Sequence, residues 1–275
     1  MSELKRITSV EELNKLNESG ELTGLFDLPN EVYHAGPGIS SSGLKEILRS
    51  PAHYQVSKEG EKKETPAMAL GTLIHLAVLE PDLFASTVVI SKKFGRSKDS
   101  QAEKAVFLAE NKDKKCVDQS DYDLVTGLAA TLNENPMAVK LLAGNYTEVS
   151  AYWTDEKTGV LCKVRADIIN ADTVIDLKSC INAVGDFKSS VKYLKYHLSA
   201  AYYLEGFSKF MPVNFFAWLA VEKSRPYGAC FYAADQITIE TGNTLYREAL
   251  DKYAECLKTG KWPGYPMKFE TISIS

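Results

Sequence analysis

The stretch from Leu161 to Lys178 constrains this chain more than any other, because its apolar and charged residues alternate with the two-residue period of β-strands. In the run VLCKVRADII, one face carries Cys162, Val164, Ala166 and Ile168, and the other carries Lys163, Arg165 and Asp167. The run TVIDLK puts Asp176 and Lys178 on one face and Ile175 and Leu177 on the other. A two-residue turn at Ala171-Asp172 would join them as an antiparallel pair and set Asp167 across from Asp176, with Cβ atoms about 4.5–5.5 Å apart. Two carboxylates that close repel one another unless a cation intervenes, and a hard divalent ion such as Mg²⁺, with oxygen ligands, is the economical neutraliser. Lys178 then reaches the edge of the site, where an ammonium can orient water and stabilise charge on a phosphate oxygen. These residues are equipment for metal-assisted phosphodiester hydrolysis. A solvated row of paired surface charges is the competing reading, and the apolar residues behind the row weigh against it.

Around this pair the pattern is that of one α/β domain, a mixed central sheet flanked by helices. Residues 1 to 20 read as a short amphipathic helix, and LPNEVYHAGPG as an irregular stretch. SGLKEILRS reads as a helix capped by Ser40, Ser41 or Ser42 and stopped at Pro51. PAMALGTLIHLAVLE, from Pro66 to Glu80, is too long for a strand and too apolar for a surface helix, so it predicts a helix buried on most sides. A charged helical section follows from Asp99 to Leu142, then the strand EVSAYWT, the two strands above, a helix from Tyr193 to Phe210, the strands NFFAWLAVE and PYGACFYAA, and a helix from Gln236 to Lys258. The expected organisation is an N-terminal arm over residues 1–35 and a single domain over 36–275.

Several function classes drop out. The longest uninterrupted apolar run, Phe215 to Val221, is far below the ~20 residues of a membrane helix, and the N-terminus has no apolar signal segment, so a cytoplasmic protein is expected. The 5 cysteines are scattered without a C-x-x-C pair, which suits a reducing compartment and argues against a thiolate zinc site. No G-x-x-x-x-G-K-[ST] is present, hence no ATP-driven motor, and the serines of GISSSG lack the nucleophile elbow. A net charge of −4 shows no overall basic signature of nucleic-acid binding. Any such contact must come from local clusters, such as the basic loop Thr87 to Lys98 with Phe94 within it, or Arg165 beside Asp167.

Asp167 followed by Asp176-Leu177-Lys178 resembles the PD-(D/E)xK nuclease signature. YHAGPGISSSGLKEILRSPAHY, GTLIHLAVLEPDLF, VRADIINADTVIDLKS and YHLSAAYYLEGF, in that order, resemble the motifs of the exonuclease VIII (RecE-type) nuclease domain, a relative of lambda exonuclease and of the RecB nuclease domain. The resemblance runs from about Tyr33 to the C-terminus. It implies a restriction-endonuclease-like fold and a Mg²⁺-dependent, ATP-independent exodeoxyribonuclease acting 5′-to-3′ on the ends of linear double-stranded DNA. The implied product is a 3′ overhang for a single-strand annealing partner of RecT type, and the implied assembly is a homo-oligomeric ring in a bacterial cytoplasm. By position it implies Asp167 and Asp176 as metal-binding catalytic carboxylates, the Leu177 carbonyl and His75 as further ligands to Mg²⁺ (or Mn²⁺), and Lys178 as the catalytic lysine. The family's glutamine on the following helix is Ser199 here, four residues before Tyr203, and both would contact DNA. A RecB-like repair endonuclease or single-strand nuclease stays open as an alternative, as does a catalytically weak DNA-end-binding protein, which the serine suggests. From the residues alone, His75 is a single imidazole in an apolar helix, either ligand or hydrogen-bonded core, with Gly71 one turn earlier permitting close approach. Glu148 reads as an exposed strand carboxylate that could reach a metal only through water.

Overall fold

In the computed structural model, residues 4–59, 65–267, 269 and 271 are described. The strands are β1 (Lys5–Arg6), β2 (Gly24–Asp27), β3 (Val88–Ile90), β4 (Lys115–Val117), β5 (Tyr146–Thr154), β6 (Leu161–Asn170), β7 (Thr173–Cys180), β8 (Phe215–Glu222) and β9 (Ala229–Ala233). The helices are α1 (Val10–Glu18), α2 (Asn30–Ala35), α3 (Ser41–Arg49), α4 (Pro51–Glu59), α5 (Pro66–Leu79), α6 (Pro81–Thr87), α7 (Lys98–Glu110), α8 (Gln119–Glu134), α9 (Pro136–Leu142), α10 (Phe187–Tyr193), α11 (Tyr196–Ser208) and α12 (Gln236–Thr259).

Seven strands form one mixed sheet in the order β1-β2-β5-β6-β7-β8-β9, and β3 pairs with β4 in a separate parallel ribbon. β5, β6 and β7 are the expected antiparallel meander, with Ala171-Asp172 as the tight turn, while β7 and β8 run parallel because α10 and α11 carry the chain across a sheet face. Helices α3, α11 and α12 pack over one face through Leu44, Leu198 and Leu250; α5 and α8 cover the other through Ile74 and Leu128. The α11–α12 contact is tight enough that a Cβ on Gly242 would stand 2.0 Å from the His197 carbonyl oxygen.

Residues 4–35 supply β1 and β2 to one end of the main sheet, and Leu13, Val32 and Tyr33 of α1 and α2 pack with Phe26 and Tyr152. The stretch read as irregular therefore contains α2, held by burial of Val32 and Tyr33. Pro51 does not only end α3; it starts α4. The helix expected from Tyr193 to Phe210 is two helices, broken where Lys195 takes a left-handed φ of 51°. Ser40 is the serine that caps α3, its Oγ accepting from the Gly43 N–H at 3.3 Å.

The strict face alternation expected for β6 fails at one place. Cys162, Val164 and Ala166 lie in the core with α11, but Ile168, of the same parity, lies in the core with α5 and α8, and Ile169 takes the α11 side. The pleat changes face at Asp167. In β5 the same change occurs between Tyr146 and Val149, at Glu148, whose φ is 54°. Cross-strand pairing is continuous on both sides of this point, Thr147 with Ile168 and Val149 with Ala166, which leaves Glu148 opposite Asp167.

Candidate active site

The β6–β7 pairing runs from Asn170↔Thr173 to Ile168↔Ile175, and one further step brings Asp167 level with Asp176. Glu148, Asp167 and Asp176 thus form one row across three adjacent strands. Beyond that row the two strands part, and the Leu177 N–H donates to Asp167 Oδ2 at 2.6 Å. A left-handed backbone at a glutamate costs about 1–2 kcal/mol, and here that strain marks the row of carboxylates.

The row of charges is buried beneath other elements, which overturns the solvated-face alternative. Lys163 donates from Nζ to the Tyr33 and Gly36 carbonyls at 2.7 and 2.6 Å. Arg165 donates to Glu148 Oε2 from Nε and to the Leu28 carbonyl from Nη1, so its side chain is spent inside the fold. Its placement serves to hold Glu148, in contrast to the phosphate contact expected of it. Glu148 corrects the reading as an exposed strand carboxylate: its side chain is largely enclosed because its strand is covered by the segment around Leu28 and by α5. Burial and the Asp167 charge raise its pKa, and Arg165 opposes that rise.

α5 brings His75 in from the other side. Its Nε2 lies 3.0 Å from the Leu177 carbonyl oxygen and its Nδ1 3.6 Å from Asp167 Oδ1. Burial, then the Lys178 charge, push the His75 pKa down, so the ring is neutral at pH 7. With Nε2–H donating to the carbonyl, Nδ1 presents its lone pair to a carboxylate oxygen. Two acceptors facing each other need a proton or a cation between them. Asp167 is pushed up to about 7 by burial and by Asp176.

Among the described residues, one ligand atom each from His75, Glu148 and Asp167 could hold a metal ion, all within 4.8 Å of one another. The family resemblance implied His75, Asp167, Asp176 and the Leu177 carbonyl as one ligand set. The structure brings His75, Asp167 and that carbonyl together, adds Glu148, and places Asp176 against Lys178, with Nζ 2.6 Å from Oδ2. Burial lowers the Lys178 pKa, but Asp176 and Asp167 outweigh it and the net shift is upward. Glu148 was detectable in principle from its parity with Ser150 and Tyr152, but the DEKTG connection is too long to fix the β5–β6 register from sequence.

Of the expected DNA contacts, Ser199 is buried on α11, and Tyr203 packs edge-on to Phe216 at 6.1 Å between ring centres. Tyr196, one turn before Ser199, stands over Lys178, with the ammonium 5.5 Å from its ring centre. In the basic loop, Phe94 packs on Phe107 at 5.8 Å, while Lys92, Lys93 and Arg96 are exposed. Among the described residues no helix is long and apolar enough to cross a membrane.

A family model described as a PDDEXK-like domain of unknown function (DUF3799) matches residues 40–273. No curated protein matches the chain. Among solved structures the chain is similar to a "putative exonuclease" from Eubacterium rectale, at 14% identity and a TM-score of 0.62, covering 90% of this chain and 97% of that one. At this identity the likeness is one of fold, and it agrees with the mixed sheet flanked by helices found here.

Proposed function

The chain belongs to the PDDEXK-like DUF3799 family, and from that premise we propose that it is a metal-dependent deoxyribonuclease that hydrolyses phosphodiester bonds as an exonuclease on linear duplex DNA. The observation that carries this reading is the three-carboxylate row of Glu148, Asp167 and Asp176 at the point where β6 and β7 part, with His75 on one side and Lys178 on the other. The residues fit a divalent cation. His75 Nδ1 and Asp167 Oδ1 are two acceptors face to face, 3.6 Å apart, with a Glu148 carboxylate oxygen within 4.8 Å of both. His75, Glu148 and Asp167 would hold Mg²⁺, with Asp176 beside them. When bound, such an ion supplies positive charge to phosphoryl oxygens and makes water a better nucleophile.

The side chains divide the remaining work. Lys178 has its pKa raised, so it stays an ammonium at neutral pH; it serves as a fixed positive charge and hydrogen-bond donor at the phosphate and does not act as a general base. His75 fixes the Leu177 carbonyl through Nε2, and Arg165 holds Glu148, so both act as positioning residues for the row. Exonuclease action, 5′-to-3′ polarity, release of a 3′ overhang and co-operation with an annealing protein are supported by the ordered motif resemblance from Tyr33 onward. A ring-shaped oligomer would reconcile DNA binding with a net charge of −4 by concentrating basic groups on an inner face.

The test is digestion of 5′-phosphorylated linear duplex with Mg²⁺ or with EDTA, alongside covalently closed circular duplex and single strands. Release of nucleotides from the linear duplex alone, dependent on metal and lost in Lys178→Ala, is the expected result. Cleavage of the circle points to an endonuclease, preference for single strands to a repair-type nuclease, and binding without cleavage to an end-binding protein.

A further inference from the structure

A second lysine reaches the active-site region from α3. Lys45 Nζ lies 5.2 Å from the centre of the Tyr196 ring, and Lys178 Nζ lies 5.5 Å from the centre of the same ring. One aromatic side chain therefore links the lysine of the carboxylate row to a cation that the row does not use. Glu46, the acid next to Lys45, is turned to Arg49 at 3.8 Å, and among the described residues no carboxylate is within ion-pair distance of Lys45. Burial, then repulsion by Lys178, lowers its pKa to about 8; the Asp176 charge opposes that fall and Lys195 adds to it.

Lys45 opens onto a hollow of about 450 Å³ that is also lined by Arg49 with its partner Glu46, and by Tyr193, Leu194 and Lys195. Leu194 belongs as well to the wall of a neighbouring hollow of about 220 Å³, which includes Tyr196 and begins at Ser179, the residue after Lys178. The left-handed turn at Lys195 that splits the two helices is what shapes this wall. It leaves Tyr193 79% exposed and Leu194 52% exposed. Cations beside an exposed aromatic ring are the pairing by which proteins hold a nucleic-acid strand, phosphate on the cation and base on the ring.

We propose that this hollow is the subsite for the nucleotide next to the scissile phosphate, with Lys45 as its phosphate contact and Tyr193 as the surface for its base. The assignment rests on the nuclease reading above and deepens it. It gives the α10–α11 break a purpose, since a continuous helix would remove the wall on which the base lies. Lys45 is a substrate-binding residue in this scheme: it holds the strand one ring away from Lys178 and lies outside the carboxylate row.

The experiment measures binding of a fluorescein-labelled oligothymidylate decamer by anisotropy, with Ca²⁺ replacing Mg²⁺ to suppress cleavage, between about 50 and 200 mM salt. Each phosphate contact on a single strand contributes roughly 0.7 to the slope of log affinity against log salt. Lys45→Ala should weaken binding and flatten that slope by about this amount, and Lys45→Arg should restore it. Tyr193→Ala should weaken binding by roughly 5- to 150-fold, the value of one stacked base, with no change in slope. Tyr193 is 79% exposed, so its removal takes nothing from the core, and an unchanged melting temperature of Tyr193→Ala checks that the fold is intact. An unaltered salt slope in Lys45→Ala, or unaltered affinity in Tyr193→Ala, overturns the subsite. If the wild type cuts DNA while both variants bind like it, the subsite alone is wrong. If the wild type neither cuts nor binds DNA, the nuclease reading and the subsite fall together.

Discussion

His75 Nδ1 stands 3.6 Å from Asp167 Oδ1 while Nε2 of the same ring is committed to the Leu177 carbonyl at 3.0 Å. Below about pH 7 the metal-free protein can separate these two acceptors with a proton on Asp167, whose pKa burial and Asp176 push up to about 7. The folded pKa is above the unfolded one, so this group's contribution to stability is complete below the unfolded value and is lost as pH rises through about 7. A cation takes the proton's place. Mg²⁺ should therefore raise the melting temperature more at about pH 8 than at about pH 6. Thermal melts at both pH values with and without Mg²⁺ decide it, and equal shifts would show that the ion does not replace that proton. In His75→Ala the Mg²⁺-induced shift should shrink at both.

Lys178 neutralises a buried carboxylate as well as facing the substrate. Lys178→Met should abolish DNA cleavage, with a loss of at least roughly 10²-fold, the scale of one preorganised electrostatic partner. It should also destabilise the metal-free protein by about 3 kcal/mol, because Asp176 is left uncompensated. Adding Mg²⁺ should recover more stability in the variant than in the wild type. A variant as stable as the wild type in EDTA would mean that Asp176 does not depend on this ion pair.

Arg165 and Glu148 form a buried pair whose second arm is the Leu28 carbonyl. Arg165→Ala should cost about 3–5 kcal/mol by leaving Glu148 buried and alone. Arg165→Lys should recover little of it, since one ammonium does not reproduce the two directions taken by Nε and Nη1. Urea unfolding in EDTA measures both. Glu148→Gln keeps the shape and should spare the fold, while an isothermal Mg²⁺ titration should show weaker binding; unchanged binding would remove Glu148 from the metal set.

Gly242 sits where α12 crosses the His197 carbonyl of α11, with no space for a methyl group. Gly242→Ala should lower stability by roughly 3 kcal/mol despite the higher helix propensity of alanine. A melting temperature at or above that of the wild type would mean that the helices separate at no cost.

Much of the architecture is written in local patterns. The meander of β5 to β7, the buried α5, strands β8 and β9 and the long α12 all follow from periodicity and from proline and turn positions. The short turn at Ala171-Asp172 alone sets Asp167 opposite Asp176, because two residues admit only one register. Strands of two to four residues such as β1 to β4, and the short α2, carry too little pattern to register and exist because their neighbours bury them.

What the sequence determined by itself is the chemistry available: Asp167, Asp176 and Lys178 on two paired strands, with a histidine on an apolar helix. Only the tertiary structure decided how these groups are used. It turned the pleat over at Glu148 and Asp167, enclosed Arg165 so that it supports Glu148, and set His75 on the Leu177 carbonyl. The physical reason is range. Turn length and side-chain alternation act over a few residues, whereas the enclosure of Arg165 and the approach of α5 depend on contacts between distant segments, such as the Arg165–Leu28 hydrogen bond at a separation of 137 and the His75–Leu177 hydrogen bond at 102.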